Sequence, residues 1–109
     1  MMQDYPSDEQ LDQITKWEFK APGDFDRFMA FVKSIGNWWP QELFGWKQEG
    51  RDFWISTGGW SGNESILAAM EQNMIFWMVC WQEHARGGHY KFTLPDDAVF
   101  FRSQRETSP

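Results

Sequence analysis

The sequence predicts an α+β fold: two N-terminal helices, then β-β-α-β-β, with an antiparallel sheet packed against the helices. Three observations carry this. Apolar residues recur at helical spacing over 11–17 and 25–35, and they alternate over 43–57 and 89–94. Glycine- or proline-bearing stretches separate these segments.

The first helix begins near Ser7, which with Gln10 three residues on forms a capping box after Pro6. Leu11 and Ile14 share one face, with Trp17 a turn further. Ala21-Pro22-Gly23 breaks the chain, and Asp24 is the expected cap of a second helix. Phe25, Phe28, Met29, Val32 and Ile35 make its apolar stripe, and Gly36 is expected as a left-handed cap. Asn37-Trp38-Trp39-Pro40 is a connector. From Leu43 to Thr57 a hairpin is expected, with Phe44, Trp46 and Gln48 on the way out, Gly50 in the turn, and Phe53 to Ile55 returning.

The turn from Thr57 to Glu64 feeds a third helix that buries Ile66, Leu67 and Met70 and stops at Asn73. Residues 74–82 are apolar on every face, so periodicity does not separate strand from buried helix. Ala85-Arg86-Gly87 resembles a helix C-terminus, but Ile, Phe, Val and two Trp favour a strand, which is the expectation here. His89 to Leu94 is the next strand, with Tyr90, Phe92 and Leu94 on one face and Lys91 and Thr93 on the other. Residues 1–95 read as one domain and 96–109 as a partly disordered tail that frays at its polar end.

Composition narrows the functional classes. The chain has 109 residues, with 8 Trp, 10 Phe and a single Cys, and a formal charge of −6. So many aromatics exclude intrinsic disorder, and one cysteine excludes a disulfide framework or a cysteine-rich zinc site. The charge argues against binding duplex nucleic acid. Residues 1–52 hold ten acids and six bases, whereas 53–94 hold three and two, so the aromatic half is nearly neutral. The longest apolar run, Met74 to Trp81, is too short to span a bilayer. No signal-peptide pattern opens the sequence, so a cytoplasmic protein without membrane contact is expected.

Four stretches carry a resemblance: Tyr5 to Leu11, Ser56 to Glu64, Phe76 to Trp81, and Arg86-Gly87-Gly88-His89-Tyr90-Lys91-Phe92. Together they resemble a family of small proteins encoded by bacteriophages and prophages, over roughly residues 5–94. The resemblance implies a setting, the infected bacterial cytoplasm, and no particular chemistry.

Two clusters are candidate ligand sites. In the turn, Gly58, Gly59 and Gly62 permit unusual backbone angles, Ser61 or Asn63 is expected to cap the next helix, and the helix start offers free N–H groups to an anion. The spacing matches neither a P-loop nor a dinucleotide fingerprint, and Glu64 already supplies charge to the helix start. Trp60, between glycines in a polar turn, is a candidate stacking platform. The second cluster supplies Arg86 for a phosphate or carboxylate, with His89 and Tyr90 beside it. The bland alternatives are a tight strand-to-helix turn and an ordinary hairpin tip. Because both clusters sit at ends of sheet elements, they are expected to converge on one edge of the sheet.

Trp38 and Trp39 are candidate partner contacts, because adjacent tryptophans do not easily both face inward. Trp77 and Trp81 are assigned to the core. Cys80, Glu83, His84 and His89 lack the spacing of a metal site. Nucleophilic catalysis would need Cys80 or Ser61 beside a histidine and an orienting acid, and Cys80, embedded in an apolar run, reads as an inert core thiol. The expectation is a non-enzymatic accessory protein without cofactor. It would bind a compact anionic ligand such as a nucleotide, with a role in counter-defence. The alternative is an inhibitor or adaptor that binds a host protein through acidic helices and exposed Trp. A flat aromatic patch would equally suit a homodimer seam.

Overall fold

Local signals place most of the element boundaries seen in a computed structural model, which describes residues 5–38 and 45–106. Helix α1 spans Asp8–Thr15. Its capping box is complete: Gln10 N donates to Ser7 Oγ at 3.1 Å, and Ser7 N donates to Gln10 Oε1 at 2.9 Å. Helix α2, Asp24–Ile35, buries Phe25, Phe28, Met29 and Val32 as its spacing requires. Asp24 is the first helical residue rather than the cap, a shift of one position. Its carboxylate reaches back to accept from the amides of Lys20 and Ala21.

Gly36 is not left-handed, with φ −98° and ψ 174°. Glycine is needed there for space instead, since a Cβ would lie 2.4 Å from the Trp38 indole. Trp38 is therefore packed inward, against Trp46 at 5.3 Å between rings. Residues 39–44, with Trp39, Leu43 and Phe44, lie outside the described residues.

The hairpin of β1, Trp46–Glu49, and β2, Asp52–Ser56, turns at Gly50 with φ +60°. Helix α3 spans Ser61–Gln72. Asn73 then ends α3 and starts α4, Met74–Cys80, by accepting from Phe76 N. Its amide nitrogen donates to the carbonyls of Ile14 and Trp17, tying this junction to the end of α1.

The strand expected over 74–82 is thus a helix, and β3 begins only at Trp81, running to Ala85. The capping bond of Asn73 and burial of Phe76 and Cys80 one turn apart outweigh the β preference of the side chains. Arg86-Gly87-Gly88 is accordingly a hairpin tip, with φ +87° and +76° at the glycines, and no helix end. Strand β4 follows, His89–Thr93. No element was expected beyond Leu94, yet α5 spans Asp97–Glu106, started by Asp96 accepting from Val99 N. Its Phe101 is buried and Phe100 meets Phe25 edge-on.

The four strands form one antiparallel sheet in the order β1-β2-β4-β3. Phe53, Ile55 and Phe92 point from it into the core, where Phe76 bridges Phe28 and Phe92. The other face carries Trp54, Ser56, His89 and Lys91, one residue out of phase with the core set.

Candidate functional site

The two glycine-bearing clusters meet at one end of the sheet. Ser56 and His89 are opposite one another on β2 and β4, and Ser56 Oγ and His89 Nδ1 share a hydrogen bond at 2.6 Å. One residue on, Thr57 N donates to Gly88 O at 3.1 Å. A Cβ on Gly88 would lie 2.3 Å from Thr57 Oγ1, so glycine permits this approach. Gly58 and Gly59, both with positive φ, then turn the chain into α3.

Several of the expected ligand groups are used internally. Trp60 stacks on Tyr5, with ring centroids 5.1 Å apart at 27°, and its benzo edge sits on Gly62 where a Cβ would collide. Ser61 Oγ donates to the Tyr5 hydroxyl at 2.9 Å. Neither Ser61 nor Asn63 caps α3, whose cap position is Trp60 with no side-chain bond. Asn63 is wholly buried and bonds to the main chain of Asn37 and Thr57.

The second cluster divides by strand alternation. His89 points to the outer face, while Tyr90 points to the helix side, stacked on His84 at 4.0 Å. Burial and the nearby Glu71 and Glu64 push the Tyr90 hydroxyl above its usual range. Arg86 is exposed at the tip.

The outer face itself holds a feature absent from the sequence reading. The Lys47 and Lys91 ammonium groups lie 5.1 and 5.3 Å from the centroid of Trp54, a cation–π arrangement from the two neighbouring strands. A depression of about 130 Å³ is lined by Trp54, Ser56, Glu83, His89 and Lys91. Strand pairing could have exposed this arrangement, because Lys47, Trp54 and Lys91 occupy one row across the sheet.

A second surface lies on α4 and β3. Met74, Ile75, Met78 and Trp81 are 69%, 53%, 78% and 41% exposed. Trp81, assigned to the core by sequence, instead extends this surface by stacking on Trp77 at 6.0 Å and 14°. All five residues of β3 are exposed, and it is an edge strand of the sheet. The run from 74 to 82 has no charged residue. Its uniform apolarity concealed that a single seven-residue helix buries only one side. Trp38, by contrast, is 3% exposed and offers no contact surface, and Trp39 is outside the described residues.

The chain matches no protein-family model, no curated protein and no solved structure.

The chemistry of these surfaces is limited. Burial pushes the Cys80 thiol up to about 12, against a smaller lowering by Arg51, so it carries almost no thiolate at neutral pH. Among the described residues no three His, Cys, Asp or Glu side chains cluster as metal ligands, and no helix is long and apolar enough to cross a membrane.

Proposed function

We propose that the protein is a non-enzymatic interaction module whose contact surface is the outer side of α4 with the edge strand β3. One observation carries this: four large apolar side chains stand exposed within one uncharged run, which leads into a strand with no described strand on its outer side. Apolar patches of a few hundred Å² on a soluble chain mark contact surfaces, and methionines and tryptophans suit adaptable docking. The exposed tryptophan of this reading is Trp81, in place of the buried Trp38. The motif resemblance sets the activity in the cytoplasm of a phage-infected bacterium, where blocking or recruiting a protein is a use for such a module.

A photo-crosslinking amino acid at position 78, with a control at Glu9 on α1, tests it in bacterial lysate. We expect a defined polypeptide adduct from position 78 and none from position 9. Equal or absent labelling at both positions overturns the reading.

A second reading, a compact anionic ligand such as a nucleotide, is favoured by the paired lysines against Trp54 and the Ser56–His89 pair beside them. The depression is smaller than the ~300–1,000 Å³ usual for such ligands, which ranks this reading second. Nucleotide titration followed by tryptophan fluorescence tests it. Binding that Lys91→Ala abolishes supports this site, and no binding below about millimolar concentration, a free energy of only ~4 kcal/mol, rejects it.

A further inference from the structure

We infer that the cleft between α2 and β1 binds a small monocarboxylate with a flat apolar body, held through Lys33. The site is separate from the α4–β3 surface and from the outer face around Trp54, and the inference depends on neither reading.

The cleft follows from two periodicities. On α2, Asp26, Met29, Ala30 and Lys33 recur at i, i+3, i+4 and i+7, so they share one stripe along the helix. On β1, Trp46 and Gln48 alternate with Lys47 and turn to the helix side, where Phe53 of β2 is opposite Gln48. Between the stripe and these three residues lies a space of about 340 Å³. That is within the ~300–1,000 Å³ usual for small-ligand sites, and well above the depression of about 130 Å³ on the outer face.

Floor and rim differ in chemistry. Met29, Trp46 and Phe53 are buried in the core and give the cleft an apolar floor. Its two rings stand edge to face, with centroids 5.9 Å apart at 79°, an arrangement that leaves a flat hydrocarbon body ring surface to pack on. Lys33 is exposed at the rim and holds its ammonium 5.9 Å from the centroid of Trp46. Among the described residues it enters no ion pair, unlike Lys16, Lys20 and Lys47.

The other end of the cleft has the opposite character. Asp26 lies one stripe length from Lys33, about 10 Å along the helix. Both of its carboxylate oxygens accept from Arg51 Nη1, at 3.1 and 3.2 Å, and Arg51 Nη2 donates to Pro95 O at 2.6 Å. The cleft is therefore polar along its length, attracting an anionic group at Lys33 and repelling one at Asp26. A single carboxylate gives Lys33 a charge-assisted hydrogen bond while its apolar body covers the floor. A dicarboxylate would carry its second charge toward Asp26. An amine would meet like charge at Lys33 and, at the far end, a carboxylate already held by Arg51.

Titration of the isotope-labelled full chain with phenylpropionate, phenylpropanol and phenylpropylamine, followed by amide and indole NMR shifts, tests the site. We expect phenylpropionate to bind with a dissociation constant below about 1 mM, shifting Ala30, Lys33 and the Trp46 indole. The alcohol and the amine should bind at least about tenfold more weakly, the scale of one hydrogen bond to a charged group. Lys33→Gln should weaken phenylpropionate by a similar factor and leave phenylpropanol unchanged, whereas Ala30→Trp should fill the cleft and remove both. Positions 30 and 33 are exposed, so circular dichroism should show the variants folded. The three wild-type titrations test the inference without either variant. Equal affinity for the three compounds, or phenylpropionate binding that Lys33→Gln leaves intact, overturns it. A dissociation constant above about 1 mM for phenylpropionate also overturns it. Shifts confined to Lys47, Trp54 and Lys91 would put the anion on the outer face and overturn it as well.

Discussion

Asn63 holds the main chain of Asn37 with both of its polar groups. Its Oδ1 accepts from Asn37 N and its Nδ2 donates to Asn37 O, each at 2.8 Å, and Nδ2 also donates to Thr57 O at 3.0 Å. One fully buried side chain thus fixes the exit from α2, the turn after β2 and the first turn of α3. Asn63→Ala would strand two carbonyls and one amide. At about 1–3 kcal/mol for each buried unpaired group, partly relieved by water, the loss should be about 3 kcal/mol by urea denaturation. Asn63→Asp should also destabilise, because a carboxylate would face two carbonyl oxygens. Wild-type stability in either variant would show that this bridge does not hold the turn.

Asp24 gives the fold an acid-sensitive contact. Its carboxyl is held below the ordinary value of 3.8, first by the hydrogen bond from Arg27 and then by that from the Lys20 amide. A depressed carboxylate stabilises the fold above its unfolded value, and that contribution is lost as pH falls through the lower folded value. Asp24→Ala should cost about 1 kcal/mol at pH 7, the net scale of a side-chain hydrogen bond to the main chain. The difference between wild type and variant should shrink below pH 4. A difference that stays constant down to pH 2 would contradict the assignment.

The sequence was most legible where a local rule had no competitor. The Ser7–Gln10 box, the α2 stripe and the Gly50 hairpin each follow from signals within a few residues. The convergence of the two glycine clusters also followed, since antiparallel strands bring their ends together. The run 74–82 was illegible because uniform apolarity carries no period. The deciding groups are Asn73, which caps α4, and Phe19, Phe28 and Phe92, which receive Phe76 from distant parts of the chain. The site was read only in part. Residue types marked Trp60, Asn63 and Tyr90 as capable of binding, and only the packing shows what each already binds. The role of Trp54 is invisible in the sequence because its two lysines come from separate strands.

Gly62 and Tyr5 are coupled through Trp60. A Cβ at Gly62 would lie 2.3 Å from the end of the indole, so Gly62→Ala must displace the ring from Tyr5. Helix propensity favours alanine by about 1 kcal/mol and offsets part of the cost. The informative quantity is therefore the cycle between the two sites. Tyr5→Ala should cost about 0.5–1.5 kcal/mol in the wild type, the value of an aromatic pair, and close to nothing beside Gly62→Ala. Additive losses in the double variant would mean that Trp60 keeps its stack when Gly62 acquires a side chain.

Phe76 and Met78 test the two sides of α4 within one turn. Phe76 is wholly buried, with ring centroids 4.5 Å from Phe28 and 5.2 Å from Phe92, so it joins the helices to the sheet. Phe76→Ala should cost about 3–5 kcal/mol, combining lost transfer energy with the cavity left between rings that do not fully close in. Met78 is 78% exposed, and Met78→Ala should change stability by no more than about 0.5 kcal/mol. Urea denaturation at dilute protein separates the two. If Met78→Ala approaches the cost of Phe76→Ala under those conditions, the outer side of α4 is packed within the chain and is not free to receive another.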